Sequence, residues 1–197
     1  MERKLKRIEN MILIGATGQN SGKTTMAVEI INKFKKDYPI VSLKITTIQE
    51  IGEACPRGGQ GCGACTGIDK DYVLLEETQR TSDKDTALLL AAGSQRVHWL
   101  RSLYTSLDVA LEEFLKTVPK RSIIICESNS LRNLVEPGCF LMLKNTRSDK
   151  IKPTAAEIIH FADAVVENDF KDSIKNAAEN VNIIDKVSHL SAQFLKA

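Results

Sequence analysis

Ile14-Gly-Ala-Thr-Gly-Gln-Asn-Ser-Gly-Lys-Thr-Thr25 is the stretch on which the reading of this chain turns. The apolar run before it, Met11 to Ile14, reads as a buried strand ended by glycines. Behind it, Gly22 to Lys36 spaces Met26, Ile30, Ile31 and Phe34 along one face of a helix. A glycine-rich turn between a strand and a helix, closing on Gly-Lys-Thr, is the setting of a phosphate-binding loop. Glycines let backbone N–H groups turn toward phosphate, and the helix N-terminus adds its partial positive charge. On this reading Gly18, Asn20, Ser21, Gly22, Lys23, Thr24 and Thr25 hold a nucleotide. Lys23 reaches the β- and γ-phosphates and acts in catalysis, while the Thr24 hydroxyl holds Mg²⁺. The match to G-x-x-x-x-G-K-[ST] departs at one position, where Thr17 replaces the first glycine and Gly15 and Gly18 stand close by. The competing reading is a glycine-rich turn that happens to precede Lys-Thr, and the strand–turn–helix context argues against it.

Outward from the loop, apolar runs alternate with amphipathic stretches. Strands are predicted at Pro39–Thr46, Tyr72–Glu76, Val97–Leu100, Ser122–Glu127, Cys139–Lys144, Ala164–Glu167 and Val181–Ile184. Helices are predicted from an Asp83 cap to Gly93, over Ser102–Thr117 with a leucine every fourth residue, over Thr154–Phe161, between the last two strands, and through the last dozen residues. Strand, helix, strand repeated along one chain predicts an α/β fold with a mostly parallel sheet flanked by helices in three layers. With no internal repeat and no linker-like shift in composition, residues 1–197 read as one domain carrying a Cys-rich loop at 52–67.

Apolar residues make up 43% of the chain and charged residues 26%, which argues against disorder and fibrous classes. A formal charge of +2 leaves no broad electrostatic footprint for nucleic acid or an anionic membrane. The longest apolar runs fall far short of the roughly 20 residues a membrane span needs. The basic opening is followed only by Met11–Ile14 before Gly15, short of the roughly 7–15 apolar residues of a secretory signal, so the expectation is a cytoplasmic protein.

A phosphate site usually takes an acid from the end of a neighbouring apolar strand, and Ile123-Ile-Ile-Cys-Glu127 supplies one. Glu127 there can bind Mg²⁺ through water or orient the attacking water. The plainer reading is a strand-end Glu facing solvent. Asp83 and Asp85 are weaker candidates, since acids are favoured at a helix start in any case. The strand Phe140–Lys144 ends in Asn145-Thr-Arg-Ser-Asp149, with Ser148 where the guanine-reading Asn-Lys-x-Asp would place its Asp. Asn145 could still contact a purine edge and Arg147 could stack on it, against a plain polar turn.

Of the five cysteines, Cys55, Cys62 and Cys65 stand together as C-x6-C-x2-C in a glycine-rich stretch. The Cys62–Cys65 spacing lets two thiolates grip one metal, and soft thiolates suit Zn²⁺, Cu(I) or an iron–sulfur cluster. A redox dithiol and plain surface thiols are the alternatives. Three local thiols leave one ligand to be found elsewhere. Cys126 and Cys139 sit in apolar strands and read as small buried hydrophobes. His98 reads as core or edge packing, His160 and His189 as surface, Arg132 as a solvated loop residue that could contact an anion, and Glu76-Glu77 as solvated.

Taken in order, several of these pieces resemble the MobB-like P-loop NTPases, the molybdopterin-guanine dinucleotide biosynthesis protein B family. The resemblance runs through Asn20-Ser-Gly-Lys-Thr-Thr25, Val41-Ser-Leu-Lys44 with its strand-end Lys, Lys84-Asp-Thr86 with Ala92-Gly-Ser94, and Ile125-Cys-Glu127. The family's histidine-rich string after the Lys is replaced by Ile45-Thr-Thr-Ile48, Glu127 is followed by Ser128-Asn-Ser130, and the Cys loop is an addition. The resemblance implies the P-loop NTPase fold and a role beside cofactor or metal-centre maturation, and two-fold dimers are common in that group. A homodimer with the Cys55–Cys65 loop at or near the contact is the corresponding expectation.

Three functions follow as expectations. The first is an NTP-hydrolysing accessory protein for metal or metallocofactor assembly, using Mg²⁺ with ATP or GTP, a zinc or iron–sulfur site at the Cys loop, and a client metalloenzyme or cofactor. The second is a small-molecule kinase or ligase with a structural metal clip. The third is a nucleotide-binding adaptor without turnover.

Overall fold

The computed structural model describes residues 5–48, 68 and 70–179. Strand β1 (Lys6–Ala16) lies inside a seven-stranded sheet, and Met11 to Ala16 are all buried. A strand covered on both faces must be apolar throughout, which is why this stretch shows no alternation. Helix α1 (Lys23–Phe34) buries Met26, Ala27, Ile30, Ile31 and Phe34, the three-to-four spacing that lays one stripe on the sheet. Strands β2 (Ile40–Ile48) and β3 (Tyr72–Glu76), helix α2 (Asp85–Ala92), strand β4 (Arg96–Leu103), helix α3 (Leu107–Thr117) and strand β5 (Ile123–Glu127) follow. The chain continues through β6 (Val135–Asn145), the one-turn α4 (Pro153–Ala156), β7 (Ala164–Asn168) and α5 (Ser173–Glu179).

The sheet order is β3-β4-β2-β5-β1-β6-β7, parallel except for the β3–β4 pair. Helices α1, α2 and α5 pack on one face over Ile12, Ile14, Ile125 and Leu141. Helix α3, with α4 and Leu131, covers the other over Leu13, Leu43, Ile124 and Phe140. This is the three-layer α/β arrangement with a mostly parallel sheet that the sequence predicts, consistent with a P-loop-like fold. Phe114 and Phe140 are buried to within 1% of complete, and each contributes about 1.5–3 kcal/mol by leaving water. Among the described residues no helix is long and apolar enough to cross a membrane.

Three expectations are corrected. The helix predicted from Ser102 starts only at Leu107, because β4 is paired on both sides and its ladder to β2 and β3 carries Ser102 and Leu103 into the sheet. Helix α2 is entered from Lys84, not Asp83, and no side chain caps it. The stretch Thr154–Phe161 is α4 and a separate 3₁₀ turn at Ile159–Phe161. The strand expected at Val181–Ile184, the last helix and the Cys loop lie outside the described residues.

Candidate functional site

The loop from Thr17 to Gly22 sits at the C-terminal end of β1, between β5 and β6, where open parallel sheets offer their crevice. Thr17 is anchored three ways. Its N–H donates to Leu143 O at 2.9 Å, its carbonyl accepts from Lys152 N–H at 2.9 Å, and its Oγ1 accepts from Asn145 N–H at 3.4 Å. The side chain therefore does work that the motif's glycine could not. Left-handed backbone falls instead at Asn20 (φ 51°) and Gly22 (φ 90°). Gly22 has no room either: a Cβ there would stand 2.4 Å from Ile174 Cδ1 and 2.7 Å from Asn168 Nδ2.

Two amides that the sequence reading did not single out hold this loop. Asn129, just beyond β5, accepts from Ala16 N–H at 2.8 Å and donates to Ala16 O at 2.9 Å, closing the top of β1. Asn168, at the end of β7, is buried and donates to Ser21 O at 3.2 Å. Its Oδ1 accepts from Phe170 N–H at 2.8 Å and Ser173 Oγ at 3.3 Å. An amide at or just beyond the end of a strand was the available signal for each. Nothing in the sequence says what either amide touches.

Glu127 does not face solvent; it is 3% exposed. The Thr24 hydroxyl donates to its Oε2 at 3.2 Å, while its Oε1 is buried with no hydrogen-bond partner. Burial pushes the carboxyl above its usual range, opposed by the charges of Lys44 and Lys23 and by the Thr24 bond. The structure thus brings together Lys23, Thr24 and Glu127, which are 103 residues apart at their hydrogen-bonded pair. It adds Lys44, opposite Glu127 in the β2–β5 register, and Asp85, the ion-pair partner of Lys44.

The cation Mg²⁺, which a phosphate loop implies, fits this donor set. A buried carboxylate oxygen lacking a partner, with a hydroxyl on the other oxygen, is an oxygen site suited to a hard cation.

On the β6 side, Asn145 Oδ1 accepts from Arg147 N–H at 2.8 Å, and the Arg147 guanidinium lies 4.1 Å above the Phe170 ring. Asn145 thus ends β6, with its N–H on Thr17 of the loop and its side chain on the turn that follows. Cys126 and Cys139 are buried within β5 and β6, and burial raises the Cys126 thiol well above its usual range. Arg132 is not solvated: it is 8% exposed, donates to Val135 O at 3.1 Å and stacks 4.4 Å over Phe161. His98 is buried edge-on against Phe114, with ring centroids 5.5 Å apart. Cys55, Cys62, Cys65 and His189 lie outside the described residues, and among the described residues no three His, Cys, Asp or Glu side chains gather as a metal site.

The fold places the site in the class of three-layer α/β proteins with a mostly parallel sheet, consistent with a P-loop-like fold. Compared with protein-family models, curated proteins and solved structures, the chain finds no match.

Proposed function

We propose that this chain binds a Mg²⁺–nucleoside triphosphate on the Thr17–Thr25 loop and hydrolyses it, as an accessory protein for metal or metallocofactor assembly. The observation that carries the nucleotide reading is Glu127: a carboxyl buried beside the loop, bonded to Thr24, with one oxygen unpartnered and two lysines within its electrostatic reach. Burying such a group is costly unless a ligand completes it.

In this reading the loop N–H groups take the inner phosphates, and Lys23 reaches the β- and γ-phosphates and offsets the charge that grows there. Thr24 and Glu127 would hold Mg²⁺, which draws charge from the phosphate oxygens when bound. Glu127 also excludes water from the back of the site and orients the one water that attacks. The proposal covers ATP and GTP alike, with Asn145 and Arg147 on the side where a base would lie. The assembly role draws on the MobB-like resemblance and on the Cys55, Cys62 and Cys65 thiols as zinc or cluster ligands. A homodimer and a client metalloenzyme or cofactor belong to the same proposal.

Calorimetric titration of Lys23→Ala with Mg²⁺–ATP and Mg²⁺–GTP tests the first half. Losing a charge-assisted contact to phosphate weakens binding by about 10–100-fold. Unchanged affinity would remove the phosphate-loop assignment. For the second half, anaerobic purification with metal analysis reads the thiol site. Turnover that appears only with an added acceptor would favour a kinase instead.

A further inference from the structure

Lys44 is the cation on the far side of Glu127 from the loop. It stands opposite Glu127 in the β2–β5 register, and both lie on the sheet face that carries α1 and α2. Moving across that face from the loop, the order is Thr24, Glu127, Lys44 and then Asp85 on α2. The Lys44 ammonium is ion-paired with Asp85, and the side chains are 26% and 44% exposed. Among the cations, Lys44 acts on the Glu127 carboxyl more strongly than Lys23 does.

Asp85 is placed with care. It is the first residue of α2, and the next residue, Thr86, donates to Glu77 Oε2 at 2.7 Å, which ties the start of the helix to the end of β3. A carboxylate in the first turn of a helix is stabilised by the helix dipole, and a half-exposed one is also hydrated. Asp85 can therefore give up Lys44 at small cost. Glu127, buried and facing the loop, cannot be offset in that way.

We propose that Lys44 is a ligand of the terminal phosphate, held in waiting by Asp85, so that a triphosphate takes the ammonium from Asp85 and a diphosphate leaves the pair intact. This rests on the phosphate-loop reading above. The loop and Lys23 serve the β-phosphate, Lys23 reaches on to the γ-phosphate, and Lys44, across Glu127 from the loop, is the further cation on that side. Lys44 then reports the third phosphate, and release of Asp85 conveys it to α2.

The test is calorimetric affinity for a non-hydrolysable Mg²⁺–triphosphate analogue and for the matching Mg²⁺–diphosphate, in wild type, Lys44→Gln and Asp85→Asn. Lys44→Gln should weaken the triphosphate about tenfold, the loss of one charge-assisted hydrogen bond, and leave the diphosphate within about twofold. Asp85→Asn, which removes the competitor, should tighten the triphosphate and leave the diphosphate unchanged. Equal loss of both ligands in Lys44→Gln, or loss of neither, overturns the proposal. If circular dichroism shows Lys44→Gln unfolded, Asp85→Asn decides: a triphosphate affinity that falls or stays the same overturns it. A wild type that binds neither ligand removes the phosphate-loop reading and this proposal together. A wild type that binds both, with Lys23→Ala losing both and Lys44→Gln losing neither, removes this proposal alone.

Discussion

Toward β6 and β7, the loop is held by neutral hydrogen bonds: Thr17 to Leu143, Lys152 and Asn145, and Asn168 to Ser21. Toward β5 and β2, the neighbouring side chains are ionisable: Glu127, Lys44 and Asp85, with a carboxylate oxygen left unpartnered. The first flank spends its polar groups on the loop's own backbone and so fixes its shape. The second keeps polar capacity in hand for something that is not protein. Buried groups are normally satisfied, so an unpartnered carboxylate oxygen beside the loop, like the unpartnered Ser21 Oγ within it, is capacity that a ligand could use.

Gly22→Ala should have the largest effect, because it breaks the neutral flank at its tightest point. The added methyl meets Ile174 at 2.4 Å in a left-handed backbone, and strain plus overpacking together cost about 2–5 kcal/mol. Urea denaturation reads this directly. A change below about 0.5 kcal/mol, the scatter of ordinary surface substitutions, would show the wedge to be soft.

Asn168→Ala is milder and sharpens the contrast. It leaves Ser21 O and Phe170 N–H short of a partner, for about 1–3 kcal/mol of stability. Since it disturbs the loop and not the charged flank, triphosphate and diphosphate affinities should fall by the same factor. Unequal losses would show that the neutral flank also discriminates.

Glu127→Gln tests the charged flank in the smallest way. Burial holds the folded carboxyl above its ordinary value of 4.5, so between 4.5 and the raised folded value the folded protein binds more of this proton than the unfolded chain does. Wild-type stability therefore falls as pH rises from 4.5 through the raised folded value. The Gln variant is spared that loss. It should be the more stable at neutral pH in the absence of ligand, with the gap closing in acid, and hydrolysis should slow more than binding weakens. Denaturation midpoints at acid and neutral pH check this. A gap that opens on acidification would show Glu127 ionised and held by its lysines.

Strand and helix order was legible because burial on both faces leaves plain apolar runs such as Ile123–Cys126. The ends were not. Strand β1 begins at Lys6 and β6 at Val135, five and four residues before the apolar runs that mark them, because Lys6–Ile8 pairs with Val135–Pro137. Pro137 is tolerated there since β7 pairs only from Leu141 onward, leaving that stretch of β6 without an outer neighbour among the described residues. In the site, Lys23, Thr24 and Glu127 could be read from local motif and strand-end position. Asn129, Asn168 and the Lys44–Asp85 pair could not. Their partners lie 113, 147 and 41 residues away, and only register and packing bring them together.

The wedge of Ile174 and Asn168 beneath Gly22 also bears on how the protein is made. The loop at 17–22 emerges from the ribosome early, but the residues that brace it are among the last described ones. At about 5–20 residues per second, translation leaves the loop without its brace for on the order of ten seconds. Fragments ending before β7 would carry the whole Gly-Lys-Thr motif and still lack the brace beneath Gly22. The loop's shape is therefore completed late in synthesis.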